Sequence, residues 1–205
     1  MLQYVLYVKS ETNKEGYKAP DTYAYSPAKS FSESGGEVGQ IYTATFDNDK
    51  EHRQSGSTNS YTNNTYTVSN ATWTLTYADC TTTGTPLSGT AHIIARVAKN
   101  TTNSPTAVTS NILSAAGTKT ITKLSFWAKL GKSVSLKVYY SIDNGSNWSQ
   151  LTYAKDSEIH RTYGYSANIK NVQTDNLELK FEWSVSTSRT SNRDSNLDEV
   201  IIYGY

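Results

Sequence analysis

The sequence predicts an all-β protein, a two-sheet antiparallel β-sandwich of jelly-roll type. Three observations lead there. Several segments alternate apolar and polar residues with the two-residue period of a half-buried strand. The 205 residues include 16 Tyr and 4 Trp among very many Ser, Thr and Asn, a composition that favours pleated sheets over amphipathic helices. No stretch has a convincing helical period, and no repeat of solenoid or propeller length is visible.

Taken in order, Leu2 to Val8 (LQYVLYV) reads as a short apolar strand that needs a partner in its own domain or in a neighbouring subunit. Lys9 to Gln40 is polar and punctuated by Pro20, Pro27 and Gly35-Gly36, so residues 1–40 are expected to be an N-terminal strand and an extended Tyr-rich arm, and residues 41–205 the sandwich. Ile41 to Phe46 is the next strand, closed by Asp47, Asn48 and Asp49. A polar loop runs to Asn64. Thr72 to Tyr77 places Trp73, Leu75 and Tyr77 on one face and threonines on the other. Ala91 to Ala98 is apolar on both faces apart from His92 and Arg96, so it belongs in the middle of a sheet, with Arg96 paired to a carboxylate of another strand.

Asn100 to Ser110 reads as loop and Asn111 to Ala115 as a short strand. Ile121 to Ala128 is a strand, and Val134, Leu136, Val138 and Tyr140 alternate with Ser135, Lys137 and Tyr139 in the next. Asn144-Gly145 then supplies the positive backbone angles of a tight turn. Tyr153 to His160 is polar and irregular. Tyr163 to Ile169 and Leu177 to Val185 are strands, the second with Leu177, Leu179, Phe181, Trp183 and Val185 opposite Glu178, Lys180, Glu182 and Ser184. A polar loop from Ser186 to Asn196 precedes the closing strand, Leu197 to Tyr203. Trp73, Trp127 and Trp183 are expected in the core.

Composition narrows the function classes. Nineteen Lys and Arg against eighteen Asp and Glu give a net charge of +1, so no general field collects nucleic acid or anionic lipid. No apolar run is long enough to insert in a membrane. The single cysteine, Cys80, excludes an intrachain disulfide. His52, His92 and His160 are far apart with no zinc-ligand spacing, and neither a nucleophile elbow nor a Gly-rich phosphate loop is present. Glu178 and Glu182 share a face with Lys180 and read as a solvated edge; a non-enzyme is expected. The start MLQYVLYVKSETNKEG lacks the basic n-region and longer apolar core of a signal peptide, which leaves a particle assembled in the cytoplasm or a processed chain.

Two resemblances follow from the residues. Ser141-x-Asp143-x-Gly145-x-x-Trp148 fits an Asp-box, the hairpin turn that sialidase propellers carry in several copies. With one copy its role is local: Asp143 caps turn amides and Trp148 packs beneath the hairpin. More broadly, AHIIARVAKN, NILSAAGTKTITKLSFWAKL, VSLKVYYSIDNGSNWSQL, LELKFEW and NLDEVIIYG, over about residues 41 to 205, resemble in order the strands of bacterial jelly-roll modules related to MAM and choice-of-anchor J domains, sandwiches of the concanavalin and galactose-binding-like kind.

That resemblance implies a non-catalytic sandwich, extracellular or on a cell surface, whose partner is a glycan or a cell-surface protein. It also implies a structural Ca²⁺ where the first strand meets the last, at Asp47, Asn48 or Asp49 and at Asp198 with Glu199. For stacking on sugar rings the candidates are Trp148 and the tyrosines Tyr61, Tyr66, Tyr153, Tyr163 and Tyr165, with ordinary packing as the alternative role. The rival expectation is a structural subunit of a phage particle, fibre or surface filament on the virion surface, self-assembling through residues 1–40.

Overall fold

The computed structural model describes residues 37–47, 63–82, 86, 89–113, 116–159, 162–187 and 190–205. All of the described residues belong to one compact unit, Gly35–Tyr205. The strand expected at residues 2–8, nearly all of the arm, and the self-assembly read into them lie outside the described residues. Gln40, expected to end the arm, already belongs to the first strand of the sandwich.

Thirteen strands and no helix are found among the described residues: β1 Gly39–Ala44, β2 Asn64–Val68, β3 Ala71–Thr76, β4 Ala78–Thr81, β5 His92–Val97, β6 Thr106–Ser110, β7 Lys119–Lys129, β8 Val134–Ser141, β9 Ser149–Leu151, β10 Ala154–Ile159, β11 Thr162–Thr174, β12 Glu178–Val185 and β13 Arg193–Gly204. One sheet has the order β10-β11-β7-β13-β5-β4, with β1 also paired to β13; the other has the order β2-β3-β6-β12-β8-β9. Every pairing is antiparallel. The predicted two-sheet jelly-roll sandwich is the observed fold.

The alternation read from the sequence decides which residues meet between the sheets. Leu179, Phe181, Trp183 and Val185 of β12 are buried, as are Trp73 and Leu75 of β3 and Leu124, Phe126 and Ala128 of β7. Phe181 is the junction. Its ring lies 5.4 Å from Phe126 edge-to-face and 6.2 Å from Trp73, which takes Phe46 edge-on at 5.1 Å. Trp127 departs from expectation: its neighbours Phe126 and Ala128 take the inward positions, so it lies on the outer face of the seven-stranded sheet, half-buried over Gly164.

Arg96 pairs with Asp194, its direct cross-strand partner, through Nε at 2.6 Å and Nη2 at 2.7 Å, holding β5 in register with β13. This means that β13 begins at Arg193, inside the stretch expected to be loop. Further on, Asp198 and Ile201 oppose Trp127 and Ser125, so β13 carries one extra residue and Glu199 takes a φ of 46°. That bulge lets Leu197 and Val200, three apart, both face the core.

Other expectations also shift. The strand expected at residues 111–115 gives way to a turn: Asn111 has a φ of 60°, and the Leu113 carbonyl accepts from the amides of Ala116 and Gly117. The strand is instead β6, whose Thr- and Ser-rich TAVTS gains its partners from β3 and β12 on either side. β10 is a polar edge strand that exists by pairing with β11. No helix of the described residues is long and apolar enough to cross a membrane.

Candidate functional site

The outer face of the six-stranded sheet is built from residues that the alternation turns away from the core. On β8 these are Ser135, Lys137 and Tyr139; on β12 they are Glu178, Lys180, Glu182 and Ser184. β12 lies between β6 and β8, so Glu178 and Glu182 stand in the interior of a sheet and not at the edge expected for them. Lys180 pairs directly with Tyr139 in the ladder, and its Nζ is 4.6 Å from the Tyr139 ring and 4.6 Å from the Trp148 ring. An ammonium at that distance from two rings is held by both quadrupoles. None of Lys137, Lys180, Glu178 and Glu182 is ion-paired to another described residue.

Trp148 reaches this face because of the loop from Ser141 to Trp148. Asn144 and Gly145 have φ of 56° and 73°, and the Ser146 amide bonds the Asp143 carbonyl at 3.2 Å. The tight turn is therefore real, but it sits inside a longer connection, since Tyr140 pairs with Ser149. Asp143 organises the loop. Its Oδ1 accepts from the Ser141 hydroxyl at 2.7 Å and the Asn147 amide at 2.8 Å, and its Oδ2 from the Asn147 side chain at 2.6 Å. The bonds from the Asn147 side chain, the Ser141 hydroxyl and the Asn147 amide hold the Asp143 carboxyl down to about 2. A Cβ on Gly145 would come within 2.9 Å of Glu178 Oε2 and 3.4 Å of the Trp148 ring, so the loop tip rests against both. Glu178 is pushed above the usual carboxylate range, first by burial and then by the charge of Asp143.

The other predicted sugar-stacking residues lie elsewhere. Tyr61 is outside the described residues. Tyr66 is the cross-strand partner of the inward-facing Trp73, and its hydroxyl donates to Asp79 Oδ1; burial and that carboxylate raise its phenol well above the usual range. Tyr153 donates to the Leu136 carbonyl at 2.5 Å and sets its ring against Phe126 at 5.4 Å. Tyr165 stacks on Phe126 at 5.3 Å. Tyr163 lies 6.4 Å from Tyr165, with the Lys155 ammonium 3.8 Å from its centre. These three tyrosines form one aromatic rim near the β10–β11 edge, apart from the Trp148 face.

Tyr139 was not among the predicted site residues, although the alternation had already placed it beside Ser135 and Lys137, away from Val138. What the sequence did not contain was the adjacency of β8 and β12, which brings Lys180 to it.

The predicted calcium ligands are placed in part. Ala44 pairs with Val200, so the end of β1 runs toward the stretch of β13 that carries Asp198. Asp47 Oδ1 accepts from the amides of Thr90 and Ala91 at 2.7 and 3.0 Å. Asp198 is buried and its Oδ1 accepts from the Glu199 amide at 2.8 Å. Asn48 and Asp49 lie outside the described residues. Among the described residues no three or more His, Cys, Asp or Glu gather where a metal ion would be held.

No protein-family model matches the chain, and no curated protein is similar to it in sequence, so neither comparison shows the MAM and choice-of-anchor J resemblance. Solved structures do resemble it. The TmCBM61 module in complex with β-1,4-galactotriose is 11% identical over 65% of this chain and 88% of that one, with a TM-score of 0.45. The CBM22-1 xylan-binding domain of Paenibacillus barcinonensis Xyn10C is 15% identical over 81% and 94%, with a TM-score of 0.47. The K2 cleaved adhesin domain of Lys-gingipain is 9% identical over 63% and 88%, with a TM-score of 0.45.

Proposed function

We propose that the protein is a non-catalytic carbohydrate-binding module of a secreted or surface-exposed protein, and that it holds its glycan on the outer face of the six-stranded sheet. The observation that carries this reading is the Tyr139–Lys180–Trp148 cluster. A sugar presents an apolar face of C–H groups and a rim of hydroxyls. Here two aromatic rings stand beside an ammonium, two carboxylates and the amide of Gln150, on strands that need not move. The polar groups are not engaged with one another in ion pairs and are open to hydroxyl donors and acceptors.

Binding without turnover fits the same geometry. Glu178 and Glu182 are four residues apart on one strand, about 13 Å, beyond the separation of a glycosidase pair. Asp143 has both oxygens committed to its own loop.

In a screen of immobilised polysaccharides the chain is expected to be retained, and Trp148→Ala or Tyr139→Ala to weaken binding at least tenfold, about 1.4 kcal/mol, with an unchanged melting temperature. Full binding by both variants removes this face from consideration.

A structural Ca²⁺ held by Asp47, Asn48 or Asp49 together with Asp198 and Glu199 is a second part of the proposal. It is supported by the antiparallel run of β1 along β13 and by hard oxygen donors from distant segments. EDTA is expected to lower the melting temperature, Ca²⁺ to restore it, and Asp198→Ala to abolish the response. The same melting temperature with and without chelator retires the site.

A further inference from the structure

The face around Trp148 extends well beyond one sugar. Five ladder partnerships join one outward residue from each of the six strands into a single cross-strand row: Gln150, Tyr139, Lys180, Val108, Thr74 and Thr65. At the ordinary interstrand spacing this row runs roughly 24 Å.

Side-chain length changes partway along it. Every outward position of β2 and β3 is threonine, and β6 adds Thr106, Val108 and Ser110. These short side chains make a low shelf of hydroxyls and methyls without charge. Beside the shelf stand the longer side chains of β12, Glu178, Lys180 and Glu182, with Lys137 directly across from Glu182. Two cations and two anions balance along this wall, and Asp143 adds a negative charge at the loop end. An acidic chain would find no cation on the shelf and would meet Glu178 and Asp143 beside Trp148.

We infer that the ligand is an internal stretch of an uncharged polysaccharide laid across the strands, from Gln150 over the Trp148–Tyr139 pair to Thr65. A single terminal sugar would use only the aromatic end. This rests on the glycan reading above and specifies its ligand: several consecutive neutral units, with the threonine shelf holding those that lie beyond the rings.

The test is calorimetric titration of the intact chain with cello-, manno- and xylo-oligosaccharides of two and six units, and with hexagalacturonate as the acidic counterpart. At least one neutral hexasaccharide is expected to bind tenfold or more tightly than its disaccharide, and hexagalacturonate not to bind. Val108→Arg and Thr74→Arg, each checked by thermal melting, are expected to erase the gap by lowering the affinity of the hexasaccharide to that of the disaccharide. Equal affinity for the two lengths, a gap that survives both substitutions, or tight binding of hexagalacturonate overturns the inference and leaves the glycan face standing. Full binding by both Trp148→Ala and Tyr139→Ala overturns the face itself. If no oligosaccharide binds, the glycan reading falls and this inference with it.

Discussion

Replacing Trp73 by alanine is expected to destabilise the protein by about 3–5 kcal/mol, read as a lowered midpoint in urea or thermal unfolding. The indole is almost wholly buried, with Phe46 against its edge and Phe181 stacked on its other side. Its Nε1–H also donates to the Tyr42 hydroxyl at 2.8 Å, and that hydroxyl donates to the Val68 carbonyl at 3.1 Å. Alanine would remove the ring contacts and the indole donor, leaving a cavity that rigid strands cannot close. Against a typical total of 5–15 kcal/mol, this loss is a large fraction. Trp73→Phe keeps most of the packing and forgoes the hydrogen bond, so about 1–2 kcal/mol is expected of it. A cost below 1 kcal/mol for the alanine variant shows that the core does not depend on this residue.

Acid is expected to destabilise the protein through His92 before most carboxylates titrate. His92 is buried, and among the described residues neither ring nitrogen has a hydrogen-bond partner. Burial, and then the charge of Lys129, lower it from 6.5 to about 4. It lies opposite Thr81 of β4. The β5–β13 ladder ends at the Ile93–Leu197 pair, so Asp198 is the neighbouring residue on β13.

The direction follows from which state takes up the proton. The unfolded chain binds it near pH 6.5, whereas the native state refuses it until about pH 4. Stability is therefore fully present above about pH 6.5 and is lost as the pH falls toward 4, by an amount on the order of 3 kcal/mol. Unfolding midpoints measured from pH 7.5 to 4.5 are expected to fall in the wild type and to fall distinctly less in His92→Phe. Parallel pH profiles for the two chains would show that the imidazole is not held neutral by the fold.

The strands that the sequence revealed were those with a large apolar residue at every second position. Val134 to Tyr140 and Leu177 to Val185 were placed nearly to the residue, because burial of one face imposes that period on the chain itself. β6 and β10 were missed for the opposite reason. TAVTS and AKDSEI have little apolar content of their own and become strands because neighbours already in place offer them hydrogen bonds. The bulge in β13 hid in the same way: Leu197 and Val200 are out of phase as written, and only the pairing of Asp198 and Ile201 with Trp127 and Ser125 shows the extra residue.

The aromatic side chains divide along a similar line. A tyrosine in a polar segment reads as exposed, yet Tyr66, Tyr153 and Tyr165 are partly buried against the core, and the Tyr66 and Tyr153 hydroxyls donate hydrogen bonds to Asp79 and to the Leu136 carbonyl on other strands. Tyr139 read as an ordinary outward residue and turned out to flank Lys180.

By itself the sequence determined that this is an all-β sandwich, which face of its clearest strands is buried, that Asp143 makes a turn and that Arg96 finds a carboxylate. All are local properties of the chain, or follow from the cost of leaving an apolar face or a charge unmatched. Only the tertiary structure decided which outward faces share a surface. Lys180, Tyr139 and Trp148 meet because β12 lies beside β8 and the Ser141–Trp148 loop folds back over them, and strand order in a sheet is set by the packing of the whole sandwich, which the period of a single strand does not record.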